Sequence, residues 1–225
     1  MVEGPGAAVA APMALTTSAT VLDIETPHGP ARAHVHDAAD PRAALVLGHG
    51  AGGGIAARDL VAATAAALVE GVSVALVEQP YRVAGRRSPA PARQLDAAWT
   101  AVIERLFESE LHGLALIAGG RSSGARVACR TAEATGAVAV LCLAFPFLPP
   151  QRRGGAPAQN RKPELDLVKV PMLIVQGESD PFGMPPRGRR RKIVTVRGDH
   201  SLRGDLDAVG TAVGQWIARI AATVS

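Results

Sequence analysis

Ser122, Asp180 and His200 occur in that order along the 225-residue chain, and their three side-chain types together can carry out acyl transfer. A serine hydroxyl is a poor nucleophile until a base removes its proton. Histidine can be that base and can later return the proton to a leaving group. A carboxylate behind it holds the tautomer and stabilises the imidazolium that forms. The expected chemistry is attack on an acyl carbon through an acyl-serine.

Two serines compete for the nucleophile's place, Ser122 and Ser123 in "GGRSSGARVA". A nucleophile on a tight strand-to-helix turn needs glycine two residues before it and two after it, because side chains there collide with neighbouring elements. Centred on Ser122 the frame is Gly120-Arg121-Ser122-Ser123-Gly124 and meets the requirement; centred on Ser123 the flanks are Arg121 and Ala125 and fail it. Ser123 is left with a backbone role. Its N–H, at a helix N-terminus, is one donor for an oxyanion. The second donor is expected from "GHGAGGG", at Ala51 with Gly52 as the near alternative.

The acid is expected at Asp180, just past a strand end in "MLIVQGESDPFG" and followed by Pro181. Glu178, two residues earlier, is the one substitute on that loop. Asp166 precedes the same strand and lies at its wrong end. His200, in "RGDHSL", is the only histidine after Ser122. His28, His34 and His36 fall in the first strand pair, His112 precedes the strand before Ser122, and His49 belongs to the glycine loop, where a structural role is expected.

These residues are far apart in sequence, so the fold must gather them. "TVLDIETP" and "ARAHVHDA" read as an antiparallel pair joined by "PHGP". "AALVLGHG", "VSVALVEQP", "GLALIAGG", "AVAVLCLAF" and "PMLIVQGESD" are apolar runs of buried-strand length, and "KIVTVRGDH" is a last strand. Helical patterns alternate with them: "ARDLVAATAAALVEG", capped by Gly71, then "RQLDAAWTAVIERLFESE", "SGARVACRTAEAT" and "LDAVGTAVGQWIARIAATV". "YRVAGRRSPAPA" reads as a loop, and Pro146 to Lys169 as a long irregular connection containing Gln151 to Pro163. Strands alternating with helices predict an α/β domain over 20–225, a mostly parallel, doubly wound sheet of about eight strands. Ligands of such sheets bind at the carboxyl ends of the strands, where the serine, aspartate and histidine all arrive. No helical insertion follows the sixth strand, so no large cap domain is expected.

Aromatic residues make up only 3% of the chain although hydrophobic ones make up 48%. The small side chains suit close helix–sheet packing. The net charge of +4 comes from "RGRRRK", Arg187 to Lys192; the rest is balanced, so no broad basic face for nucleic acid is implied, and the run reads as a solvated loop before a strand. Cys129 and Cys142 read as two small buried thiols of a reduced compartment. No cysteine or histidine spacing suggests a metal, and the chemistry calls for no cofactor. Residues 1–19 lack a basic segment and a long apolar run, and are expected to be a disordered leader in a cytoplasmic protein without membrane insertion.

The segments "LVLGHGAGGG", "VEQPYRVAGRRSPAP", "GGRSSGARVA", "LAFPFLPP", "VQGESDPFG" and "GDHS" together resemble the α/β-hydrolase superfamily. More narrowly they resemble its small lidless branch, related to dienelactone hydrolases and to testis-expressed and KANSL-type hydrolase-like proteins. The resemblance spans roughly Leu45 to Ser201. It implies the α/β-hydrolase fold and a serine-hydrolase site. Dienelactone hydrolases proper carry cysteine at the elbow where this chain has Ser122, so their substrate is not implied.

The expected activity is hydrolysis of a carboxylic ester or thioester, with a small-molecule acyl substrate in a shallow, open site. Tyr81, Arg86 and Arg87 near one strand end, and Arg121 beside the serine, are the residues expected to line it; solvated or structural loop contacts are the competing role of Arg86 and Arg87. The alternative function is a catalytically weak, hydrolase-like interaction protein presenting "RGRRRK" or the long connection to a partner. A scaffold has no need of all three reactive residues, and nucleic-acid binding lacks interleaved aromatics.

Overall fold

The strands pair as the apolar runs require. In the computed structural model, which describes residues 19–149 and 159–224, eight strands form one sheet in the order β1-β2-β4-β3-β5-β6-β7-β8. They are β1 (Thr20–Ile24), β2 (Ala31–His36), β3 (Ala43–Gly48), β4 (Val72–Glu78), β5 (Ala115–Arg121), β6 (Ala139–Leu143), β7 (Met172–Gly177) and β8 (Arg191–Val196). β1 and β2 are antiparallel to their neighbours; β3 to β8 are parallel. The expected leader and residues 150–158 of the long connection lie outside the described residues, apart from Ala19.

Side chains of successive strand residues point to opposite faces, and both faces of this sheet are covered. Ala44 and Val46 of β3 face α3 (Ala92–Glu108) and α4 (Ser123–Thr131), joining Trp99, Val102 and Ala128 in one core. Leu45 and Leu47 face α1 (Arg58–Val69) and α6 (Leu206–Ala221), joining Leu60, Val213 and Ile217 in the other. Burial on two sides is why the central strands read as continuous apolar runs rather than alternating ones. No helix of the described residues is long and apolar enough to cross a membrane.

The register aligns the ends that carry chemistry. Gly48 of β3 pairs with Gly120 of β5, Arg121 with Leu143 of β6, and Gly177 of β7 with Val196 of β8. The loops after β3, β5, β7 and β8 therefore open on one edge.

Several expected loops carry more structure than their composition suggests. "YRVAGRRSPAPA" begins inside a one-turn helix, α2 (Pro80–Val83), with proline at its first position, where its missing N–H costs nothing. The long connection contains α5 (Lys162–Asp166). The basic run is not all solvated loop. Arg191 and Lys192 open β8, and Arg191, 10% exposed, donates to the Pro186 carbonyl and pairs with Asp166. Cys129 and Cys142 are buried and unbridged, their sulfurs 3.6 Å apart.

Backbone contact, in addition to side-chain packing, joins α4 to β3. A Cβ at Gly120 would lie 2.6 Å from the Gly48 oxygen, and one at Gly124 would overlap that same carbonyl outright. Gly53, by contrast, has open space around it. Gly124→Ala is expected to cost about 2–3 kcal/mol in urea unfolding and Gly53→Ala within about 0.5 kcal/mol; equal midpoints would contradict this packing.

Candidate active site

Ser122 sits between β5 and α4 with φ 52° and ψ −107°, a left-handed conformation unusual for a residue with a side chain. Three contacts over-determine it. Its N–H donates to the Leu143 carbonyl at 2.9 Å, its carbonyl accepts from Arg126 N–H at 3.2 Å, and Gly124 presses against β3. The turn lifts Oγ out of the sheet edge, where it meets His200 Nε2 at 2.9 Å.

His200 Nδ1 lies 2.8 Å from Asp180 Oδ2. The carboxylate fixes the tautomer: Nδ1–H donates to Asp180, and Nε2 accepts from the Ser122 hydroxyl. Asp180 is itself held. Oδ1 accepts from Phe182 N–H at 2.8 Å, and Oδ2 also accepts from Gln176 Nε2 at 2.8 Å. With its side chain 1% exposed, Asp180 keeps every acceptor contact within the protein. The structure thus brings together the three residues expected from the sequence. Glu178 is exposed on the same loop, and Asp166 sits on α5 in ion pairs with Lys162 and Arg191.

The glycine loop after β3 is held by side chains that the sequence marked only as structural or substrate-lining. His49 is buried and bridges two backbones. Its Nε2 accepts from Gln79 N–H at 3.1 Å, so the proton is on Nδ1, which donates to the Gly50 carbonyl at 2.8 Å. Tyr81, expected at the substrate, gives its hydroxyl to the Ala51 carbonyl at 2.9 Å and packs edge-on to His49. In a trans peptide the N–H points opposite the C=O. Holding the Gly50 and Ala51 carbonyls therefore aims the N–H groups of Ala51 and Gly52, the two candidate oxyanion donors. Ser123 N–H, the other candidate, belongs to the first residue of α4, one of the donors a helix leaves unpaired internally. Burial pushes the His49 pKa below its ordinary value and raises that of the Tyr81 phenol, so both stay neutral.

Arg121, expected to line the site, is held by protein groups: Nε pairs with Asp59 at 2.8 Å, and an Nη donates to the His200 carbonyl at 2.9 Å. Arg86 is exposed, its N–H donating to the Tyr81 carbonyl at 2.8 Å. Among the described residues no group of three or more histidine, cysteine, aspartate or glutamate side chains is placed to hold a metal ion.

Gln176 and Asp59 went unnoticed in the sequence. Gln176, fully buried in β7, donates to the Phe145 and Gly183 carbonyls as well as to Asp180. A glutamine inside the apolar run "MLIVQG" is a signal, since a buried amide must find partners. Asp59, 1% exposed in the first turn of α1, carries a weaker one, because acids are common at helix starts for the dipole alone. Its burial raises its pKa, opposed by the Arg121 charge.

Comparison with known proteins agrees with this architecture. A lidless α/β serine hydrolase from Xanthomonas campestris superposes with a TM-score of 0.68 at 19% identity, covering 89% of this chain and 95% of that one. An esterase from Pyrococcus furiosus gives 0.74 at 15%, covering 97% of each chain. A dienelactone hydrolase from Anabaena variabilis gives 0.67 at 14%, covering 88% and 96%. At such identities the likeness is one of fold. Among curated proteins no sequence matches the chain. A family model described as an alpha/beta hydrolase domain matches residues 41–224, and the chain belongs to the α/β-hydrolase family.

Proposed function

We propose that the protein is a serine hydrolase that cleaves a carboxylic ester or thioester through an acyl intermediate on Ser122. The observation that carries this reading is the unbroken chain from Asp180 through His200 to Ser122, with contacts of 2.8 and 2.9 Å. As Ser122 Oγ attacks the acyl carbon, its proton passes to His200 Nε2. The carbonyl electron pair moves onto oxygen, where Ser123 N–H and Ala51 N–H, or Gly52 N–H in its place, meet the developing charge. One such donor is worth about 10²–10³ in rate. Collapse expels the alkoxide or thiolate, which takes the proton from His200. Water, activated by the same imidazole, then releases the acid and restores the serine. Asp180 remains ionised throughout and stabilises the imidazolium.

The strain at Ser122 favours an enzyme over an interaction protein with a hydrolase shape. A left-handed residue other than glycine costs about 1–3 kcal/mol. A scaffold would relieve it with glycine, whereas a nucleophile needs the side chain at that point.

A fluorophosphonate probe is expected to label the wild type and Ser123→Ala but not Ser122→Ala. Labelling that survives Ser122→Ala would remove the assignment. A second expectation concerns the glycine loop. Protonating His49 would remove the acceptor of Gln79 N–H, and its folded pKa is depressed. Its contribution to stability is therefore complete above the unfolded value of about 6.5 and is lost as the pH falls from there through the folded value. Urea unfolding should show that loss, at most about 1.4 kcal/mol per pH unit, and His49→Asn should lack this part of the slope. Parallel pH curves for the two proteins would contradict it.

A further inference from the structure

The guanidinium of Arg121 touches three parts of the site. Nε pairs with Asp59 at the start of α1, an Nη donates to the His200 carbonyl, and Nη1 lies 2.8 Å from where a Cβ on Gly50 would sit. Arg121 also precedes Ser122 directly. One planar group thus lies against the nucleophile's strand, the loop carrying the base, and the loop carrying the candidate oxyanion donors. Its side chain is 17% exposed, and that of its partner Asp59 1%.

Each contact uses a property of arginine. The fork offers several N–H donors in fixed directions, so one group can hold a carboxylate and a carbonyl at once. The carboxylate is anchored independently, since Asp59 Oδ1 accepts from Leu60 N–H at 3.0 Å. The absent side chain of Gly50 leaves room for the guanidinium. His200 lies on a loop after β8, close to Gly198 at φ 119° and Leu202 at φ 53°, and Arg121 ties the carbonyl of His200 itself to the sheet. A loop so tied presents its imidazole to Ser122 from one backbone position.

We propose that Arg121, anchored by Asp59, is a positioning residue that locks the His200 backbone and the Gly50 loop in register with Ser122. This rests on the acyl-serine reading above. The role is positioning rather than substrate binding, because Nε and one Nη are already engaged by Asp59 and the His200 carbonyl. Nor is it only structural: the ion pair secures α1, but the bond to the His200 carbonyl acts on the base. A displacement of about 1 Å at a reacting group can cost on the order of 10²-fold in rate, so loosening this tie should appear in the turnover number.

Two variants separate the roles. Arg121→Lys keeps a cation beside Asp59 but has no fork to reach the His200 carbonyl as well. Asp59→Asn/Arg121→Met removes both charges, so neither is left buried alone. With p-nitrophenyl acetate, kcat of both folded variants should fall by about 10- to 100-fold while KM stays within about 3-fold, and fluorophosphonate should label Ser122 more slowly by a similar factor. A kcat within about 2-fold of wild type in a folded variant, or a change confined to KM, would overturn the proposal. Should the double variant fail to fold, Arg121→Lys decides alone. Ser122→Ala, run alongside, separates the two readings. Full hydrolysis there removes the acyl-serine mechanism itself; an inactive Ser122→Ala beside a fully active Arg121→Lys removes only the role of Arg121.

Discussion

Gly124 has no room for a side chain because the carbonyl of Gly48 already occupies the place, and the geometry of the site follows from that backbone contact. It draws the first turn of α4 against the end of β3. Ser122, one residue before the helix, is forced into its left-handed turn, and the loop leaving β3 is brought alongside it. Ser122, the proposed nucleophile, and the candidate oxyanion donors are thus neighbours through main-chain atoms, which do not change rotamer. A site meant to receive a negative oxygen gains from donors that need no rearrangement at the moment of reaction.

Around this frame lies a set of buried polar groups, each with an identifiable task. Gln176 orients the Asp180 carboxylate from below the loop, His49 and Tyr81 hold two successive carbonyls of the glycine loop, and Asp59 holds Arg121. Buried polar groups are costly unless bonded. Their concentration at the carboxyl edge of the sheet, against apolar cores on both faces, marks where stability has been exchanged for placement. The Asp59–Arg121 pair illustrates the balance. Its burial disfavours the ionised carboxylate, and the adjoining guanidinium offsets that.

Much of this was legible in the sequence, for physical reasons. A parallel sheet buried on both faces must be written as apolar runs, and a turn with no room for Cβ must be written with glycine; "AALVLG" and "GRSSG" declare these constraints directly. The order of Ser122, Asp180 and His200 at strand ends could be read from the same punctuation. The supporting groups could not, because their meaning depends on contacts across the chain. Arg121 read as a substrate contact from its place beside the serine and Tyr81 from its place near a strand end, since position was visible and the direction of the side chains was not. The tie from Arg121 to His200 spans 79 positions and leaves no local pattern. Arg191 looked solvated inside a basic run because its acid, Asp166, lies 25 residues earlier.

The central claim is that Ser122 becomes acylated, and the acyl group can be caught directly. Wild-type protein mixed with p-nitrophenyl acetate, quenched in acid within the first turnovers and digested, should yield a peptide carrying one acetyl group, with fragment ions placing it on Ser122. An acetyl group on Ser123, or hydrolysis by the wild type that proceeds with no acylated peptide at any quench time, would contradict the account.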